Sequence, residues 1–211
     1  MYFDRSLLPS GFGAIGHDII TPTLHDNIFE QVLAPINLDL AWQRVKANKG
    51  SAGVDVMSID NFPKYAQENW DAIKAQLINR TYRPQPALRV EIPKPDGGKR
   101  LLGIPTIIDR IIQQAIHQVL NPIFDPEFSA HSYDFRLGRN AAQAVKHIQA
   151  CIKLGHKIAV DVDLSKFFDR VDHDLLMHKL GCKINDKALM RFIGKYLRAG
   201  VVDKGKRVQI Q

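Results

Sequence analysis

The sequence predicts an α+β fold in which helices outnumber strands, and three observations carry that prediction. Apolar residues recur at helical spacing in several separate segments. A strand–turn–strand unit surrounds Pro95-Asp96-Gly97-Gly98. The run Ile158–Leu164 alternates apolar with acidic or small residues at period two. A chain of 211 residues has the length for one domain or two small ones.

Residues 1–27 show little periodicity and several Gly and Pro, and are read as irregular. Leu38, Ala41, Trp42 and Val45 predict a helix, which Gly50-Ser-Ala-Gly53 breaks. Phe62, Tyr65, Ala66, Ile73 and Leu77 predict a longer amphipathic helix ending near Arg80, its aromatic rings in the core. Arg89–Ile92 and Lys99–Ile104 are strand-like and flank the Pro-Asp-Gly-Gly turn, which predicts a hairpin. Thr106 is placed to cap a helix with a broad apolar stripe from Ile107 to Leu120, and Asn121-Pro122 is expected to end it. A further helix spans about Asn140 to Leu154, with Gly155 as terminator. Ile158, Val160, Val162 and Leu164 then predict a central strand that sets Asp161 and Asp163 on one face. Such a strand is an apolar edge without partners, so the sheet it predicts is incomplete. After His173 the pattern is helical again, through Leu180 and from Leu189 to Leu197, and Val208–Gln211 begins a strand-like alternation.

Hydrophobic content of 45% and charged content of 24% suit a globular protein. No apolar run approaches the roughly 18 residues that span a membrane, and Met1–Gly16 lacks the apolar core of a secretory signal. Cys151 and Cys182 have no Cys-x-x-Cys spacing, so reduced thiols and a cytoplasmic setting are expected. The net charge is +7, unevenly spread. Residues 1–40 hold one basic residue against five acids, residues 79–110 seven against three, and residues 183–207 eight against two. One such run is ordinarily a solvated face. Two basic blocks beside a hairpin and a carboxylate-bearing strand favour a phosphate-backbone partner.

Carboxylates at the end of an apolar strand are a rigid way to hold a divalent ion, though Asp161 and Asp163 equally suit a solvent-facing strand end. The order Asp163-Leu164, two further residues, Phe167-Phe168-Asp169, then His173 resembles the first catalytic motif of reverse transcriptases, in the version of bacterial group II intron-encoded proteins. The resemblance continues upstream in order. Arg44-Val-Lys46 through Asn48-Lys-Gly-Ser-Ala-Gly-Val-Asp55 is similar to the family's N-terminal motif. Thr81–Pro86, Glu91–Arg100 and Leu102–Pro105 are similar to its fingers hairpin, Asp109-Arg110 through Gln113-Gln-Ala115 to the helix after it, and Ser132–Arg139 to the next motif. Residues 38 to 211 are covered.

The resemblance implies an RNA-directed DNA polymerase with helix-rich fingers, a β-hairpin and part of the palm of a right-hand polymerase. It divides the chain into an irregular segment 1–37, fingers 38–155 and a partial palm 156–211. Asp163 is implied as a catalytic, metal-bridging carboxylate, with the backbone carbonyl of Leu164 as an added ligand for Mg2+ in the complete enzyme. Asp161 ranks lower, at a family position that is often not Asp. Asp169, Asp172 and Asp174 are read as N-terminal charges of the following helix. Lys94 and Arg100 are implied to reach over the incoming dNTP, and Phe168 to pack where a ribose 2′-hydroxyl would sit. Leu88 stands where some relatives carry a third basic residue. Arg110, Arg136 and Arg139 are implied nucleic-acid contacts, with Asp134 and Leu137 in place of the usual Gly and Pro nearby. The implied partners are template or intron RNA, a DNA primer and dNTP, together with a C-terminal palm and thumb not carried here, and no membrane. The family's other two metal carboxylates lie in a Tyr-x-Asp-Asp hairpin absent from this sequence, so the chain alone is expected to be inactive. The alternatives are a non-catalytic RNA-binding module that assists intron splicing, as maturases do, and an unrelated single-Asp metal hydrolase.

Overall fold

The computed structural model describes residues 25–95, 97–164 and 167–208. The irregular reading of residues 1–24, Asp96 of the hairpin turn, Ser165-Lys166 of the Asp163 motif and the strand-like residues 209–211 lie outside the described residues. In chain order the elements are α1 (Ile28–Leu33), α2 (Pro35–Ala47), α3 (Phe62–Ile78), β1 (Ala87–Pro93), β2 (Lys99–Ile104), α4 (Ile107–Phe124), α5 (Ala141–Lys153), α6 (His173–Gly181), α7 (Lys187–Leu197), β3 (Val201–Asp203) and β4 (Lys206–Val208).

The core gathers around α4, which packs against α1 and α2. Its stripe buries Ile107, Ile111, Ile112, Ala115 and Ile116, each worth about 1.5–3 kcal/mol for the larger side chains. Gln118 Nε2 donates to the carbonyl (3.0 Å) and side-chain oxygen (2.7 Å) of Asn37, tying α4 to α2. The helix does not stop at Asn121-Pro122 as the sequence predicts. It continues to Phe124 because proline in the last turn forfeits only one N–H, and the Asp125 N–H still reaches the Asn121 carbonyl.

The second departure is α1. Residues 28–33 and 35–37, expected to be irregular, are helical with Ala34 extended between them, and Ile28, Phe29, Val32 and Leu33 are buried. Six residues are too few for a 3.6-residue period to repeat visibly in sequence. The helix is held from the far end of the chain. Phe29 N–H donates to Asp186 Oδ2 at 2.7 Å, and His25 pairs with Ile184 as a parallel bridge.

The predicted hairpin forms β1–β2 in antiparallel register, with Ile92 opposite Arg100 and Leu88 opposite Ile104. The Lys94 N–H to Gly98 carbonyl bond, 2.8 Å, closes its turn. The sheet order is β2-β1-β3-β4. β3 runs parallel to β1, with Ala87 opposite Val201, and pairs antiparallel with β4. The two-residue connection Lys204-Gly205 has φ of 48° and 78°, the positive values a tight I′-type hairpin needs.

The largest correction concerns residues 156–164, which form no strand. Ile158, Val160 and Val162 are 79–87% exposed, and none of the described residues forms a ladder with them. Alternation fixes which side chains share a face, but a strand also needs a neighbour to take its backbone bonds. The preceding helix α5 is where the sequence predicts it. Asn140 Oδ1 accepts the Gln143 N–H, the Gln143 side chain accepts the Asn140 N–H, and Gly155 follows with φ 94°. None of its residues is buried, and Val145, Ile148 and Ile152 form an exposed apolar stripe. No described helix is long and apolar enough to cross a membrane.

Candidate nucleotide and nucleic-acid site

Asp163, Leu164, Phe167 and Arg170 line a concavity of about 280 Å3. Asp163 is exposed, and its Oδ1 accepts the N–H of Leu164 at 2.9 Å. Phe167 and Phe168 lie edge to face, ring centres 5.3 Å apart. Phe168 is 88% exposed, so its ring is not a core residue of this chain. Asp161 is exposed as well. Asp172 caps α6, accepting the Leu175 N–H at 2.9 Å, and Asp174 sits in the first turn of that helix, as read from sequence. The Asp169 side chain lies outside the described atoms.

Among the described residues, no three His, Cys, Asp or Glu side chains converge to hold a metal ion. Magnesium takes near-octahedral oxygen ligation. One carboxylate and one carbonyl fill part of such a shell, and two adjacent ions need more negative charge than Asp163 supplies. The described residues therefore do not make a two-ion site.

The hairpin cations are exposed: Lys94 at the end of β1, and Arg100 on β2 on the face it shares with Ile92. Neither side chain has a hydrogen-bond or ion-pair partner among the described residues, in contrast to Lys99, which pairs with Glu91 at 2.6 Å. Leu88 is half-buried in β1, on the face it shares with Ile104.

The three arginines expected at nucleic acid sit very differently. Arg136 is 8% exposed, and all five of its N–H donors are used inside its own loop. Nε and Nη2 grip the Asp125 carboxylate at 2.8 and 3.0 Å, Nη2 also reaches the Asp125 carbonyl, and Nη1 reaches the carbonyls of Ser129 and Ser132. The pair lowers the Asp125 pKa and raises that of Arg136. Arg136 thus organises the loop after α4, with no N–H left for a phosphate. Arg139 is half-buried, makes one bond to the Ala130 carbonyl and lies over the Tyr133 ring. Arg110 donates from Nη2 to the Ser51 carbonyl at 2.6 Å, pinning the Gly50–Gly53 loop to α4. A Cβ at Gly53 would sit 2.8 Å from the Pro105 carbonyl oxygen, so the loop approaches the start of α4 as only glycine allows. Burial draws the Arg110 pKa down, and its guanidinium lines a concavity of about 310 Å3 with Asn48, Gln113, Gln114 and His117.

Sequence reading missed Asp109, which is fully buried. Its Oδ1 accepts the hydroxyls of Tyr82 (2.9 Å) and Tyr196 (3.0 Å), and its Oδ2 accepts the Thr106 hydroxyl (2.8 Å) and the Gln85 N–H (3.1 Å). Burial raises the Asp109 pKa, outweighing these bonds, and burial beside the carboxylate raises both tyrosines well above their usual range. Four donors on one carboxylate join α4, the strand-ward linker after α3, and α7. The available signal was an acid set in a helix rich in isoleucine, three residues after a capping threonine.

A family model described as reverse transcriptase (RNA-dependent DNA polymerase) matches residues 92–210. The chain is 36% identical over 137 residues to Protein YkfC of Escherichia coli (strain K12), covering 63% of this chain and 36% of that protein. It is 32% identical over 177 residues to Group II intron-encoded protein LtrA of Lactococcus lactis subsp. cremoris, covering 83% of this chain and 29% of that protein. The chain thus spans about a third of the length of these relatives. Among solved structures, a chain of a Cas6-RT-Cas1--Cas2 complex superposes with a TM-score of 0.56 at 21% identity, covering 86% of this chain and 18% of that one, a likeness of fold. With more than half its residues matched by one family model, the chain belongs to the reverse transcriptase (RNA-dependent DNA polymerase) family.

Proposed function

We propose that this chain is the fingers and upper-palm portion of a group II intron-type RNA-directed DNA polymerase, which in its complete form binds template RNA, a DNA primer and incoming dNTP. The observation that carries the reading is the exposure of Asp163, Leu164, Phe167 and Phe168, which lie inside the stretch that matches the family. The fingers take in residues 38–155 together with α1, and residues 156–211 form part of the palm.

In this reading Asp163 and the Leu164 carbonyl are one portion of a ligand shell for divalent ions, with Mg2+ as the ion and further carboxylates supplied from outside the described residues. Lys94 and Arg100 offset the charge of the triphosphate, for which their exposure and lack of carboxylate partners among the described residues suit them. Phe168 excludes a ribose 2′-hydroxyl. Arg110 and Arg139 contact nucleic acid, whereas Arg136 acts by shaping the loop that carries Arg139. No observation favours the non-catalytic splicing module over this reading.

The test is primer extension with magnesium and dNTPs. The 211-residue chain is expected to extend nothing above background. Joined to the remaining portion of a relative, it is expected to extend the primer, and Asp163→Ala to abolish extension while circular dichroism stays unchanged. Extension that survives Asp163→Ala defeats the assignment of Asp163, and robust extension by the 211 residues alone defeats the reading of an incomplete site.

A further inference from the structure

The two basic blocks of the sequence meet at one place. A concavity of about 230 Å3 is lined by Arg83, Pro84, Lys195, Arg198, Ala199 and Arg207. Arg83 comes from the linker between α3 and β1, Lys195 from the last turn of α7, Arg198 from its C-cap and Arg207 from β4. No lining residue is acidic, and none of the four cations forms an ion pair among the described residues.

Two of the cations are held in place by neutral oxygens. Lys195 Nζ donates to the carbonyls of Arg80 (2.8 Å) and Tyr82 (2.9 Å), and Arg207 Nη2 donates to the Ala199 carbonyl (3.0 Å). Carbonyls fix the position of these charges without cancelling them. The frame behind them is the buried Asp109. It binds Tyr82 and Gln85, on either side of Arg83, and Tyr196, between Lys195 and Arg198. Convergent like charges repel one another, and a preorganised set without carboxylates concentrates an anion. Apart from the cations the lining offers only Pro84 and Ala199, with no aromatic ring to stack a base, so the concavity reads charge rather than sequence.

We propose that this concavity is a phosphate-binding subsite for the RNA backbone, sharing no lining residue with the concavity at Asp163. The assignment rests on the nucleic-acid reading given under Proposed function.

The test compares the 211-residue chain with the variant Arg83→Gln/Arg198→Gln/Arg207→Gln, leaving Lys195 in place because its bonds support the linker. Binding of a single-stranded RNA of about 20 nucleotides is measured across salt concentrations, with folding checked by circular dichroism and urea midpoint. The slope of log affinity against log salt is expected to fall by about two, since three phosphate contacts contribute about 0.7 each. Two RNAs of unrelated sequence are expected to weaken alike. Should the triple variant fail to fold, Arg83→Gln alone is expected to lower the slope by about 0.7. Tripolyphosphate is expected to compete no better than salt of equal ionic strength. Competition at far lower concentration makes this a site for free polyphosphate and overturns the backbone assignment. An unchanged slope in a folded variant overturns the subsite while leaving the nucleic-acid reading intact. Absence of salt-sensitive RNA binding by the parent chain overturns both.

Discussion

Asp109 receives four hydrogen bonds and no ion pair among the described residues, so its carboxylate is held by donors alone. Asp109→Asn turns one acceptor atom into an NH2 and strands two of the four donors. The expected loss is on the order of 2–4 kcal/mol, read from urea unfolding. The pH dependence has a definite sign. Burial raises the folded-state pKa above its unfolded value, so on raising the pH the unfolded chain releases this proton first. The contribution of Asp109 to stability is therefore greatest at acid pH and falls as pH rises through the window between the two values. The stability gap between the parent chain and Asp109→Asn should shrink across that window, and a gap that widens contradicts the burial argument. Phe168 makes the opposite case. An exposed ring should be replaceable, so Phe168→Val is expected to change stability by less than about 0.5 kcal/mol. In a completed enzyme the same change is expected to raise ribonucleotide use relative to deoxynucleotide by roughly tenfold to a hundredfold, the scale of a relieved steric clash. Unaltered sugar selectivity in a folded, active variant ends the steric role.

At the scale of elements, α5 depends on its own ends. None of its residues is fully buried, although His147 stacks on His131, and an isolated helix of this length is marginal in water. Asn140→Ala removes a capping box worth about 1 kcal/mol, which should speed amide exchange within α5 roughly fivefold. The urea midpoint of the core should not move, and a global shift would show that α5 is coupled to the core after all. The elements legible in sequence share a property with α5: their signals are local. The Thr106 cap and isoleucine stripe of α4, the Pro-Asp-Gly-Gly turn and the Asn140 box each identify an element within a few residues. What sequence concealed is non-local. β3 is three residues long and exists through pairing with Ala87 and Leu88, and α1 is a helix through its contacts with α4 and α7. Residues 158–164 have the alternation of a strand but no neighbour among the described residues to make one. The same distinction runs through the site. Asp163, Phe168, Lys94 and Arg100 are proposed from motif order alone, whereas the donors of Arg136 could be placed only once its loop was seen. The convergence of Arg83 with Arg198 and Arg207 needed the fold.

At the scale of the molecule, the described chain is closed by contacts between its ends. Asp186 caps α7 through the N–H groups of Ala188 and Leu189, and its other oxygen takes the Phe29 N–H of α1, 157 residues away. Asp186→Ala breaks both attachments. It is expected to cost about 2–3 kcal/mol, as a lost cap plus an amide left unpaired, and to lower the urea midpoint with little change in slope. If only α7 depends on Asp186, the loss stays near 1 kcal/mol and α1 keeps its protection from proteolysis.

The exposed run from Ile158 to Leu164 also governs how the protein behaves in concentrated solution. Four β-branched or aliphatic side chains in alternation, on backbone that makes no ladder with the described residues, are what a second copy needs for edge-to-edge association. Asp161 and Asp163 interrupt that run, and their like charges would face one another in a stacked pair, so they act as gatekeepers against self-association. Asp161→Asn with Asp163→Asn should therefore raise light scattering and lower soluble yield, while Asp161→Lys with Asp163→Lys should keep both near the parent values. Equal solubility of all three proteins would show that the run does not drive association. If the neutralised pair does associate, a variant made to silence Asp163 by neutralising it loses more than a candidate ligand, and its solubility must be matched before its activity is compared.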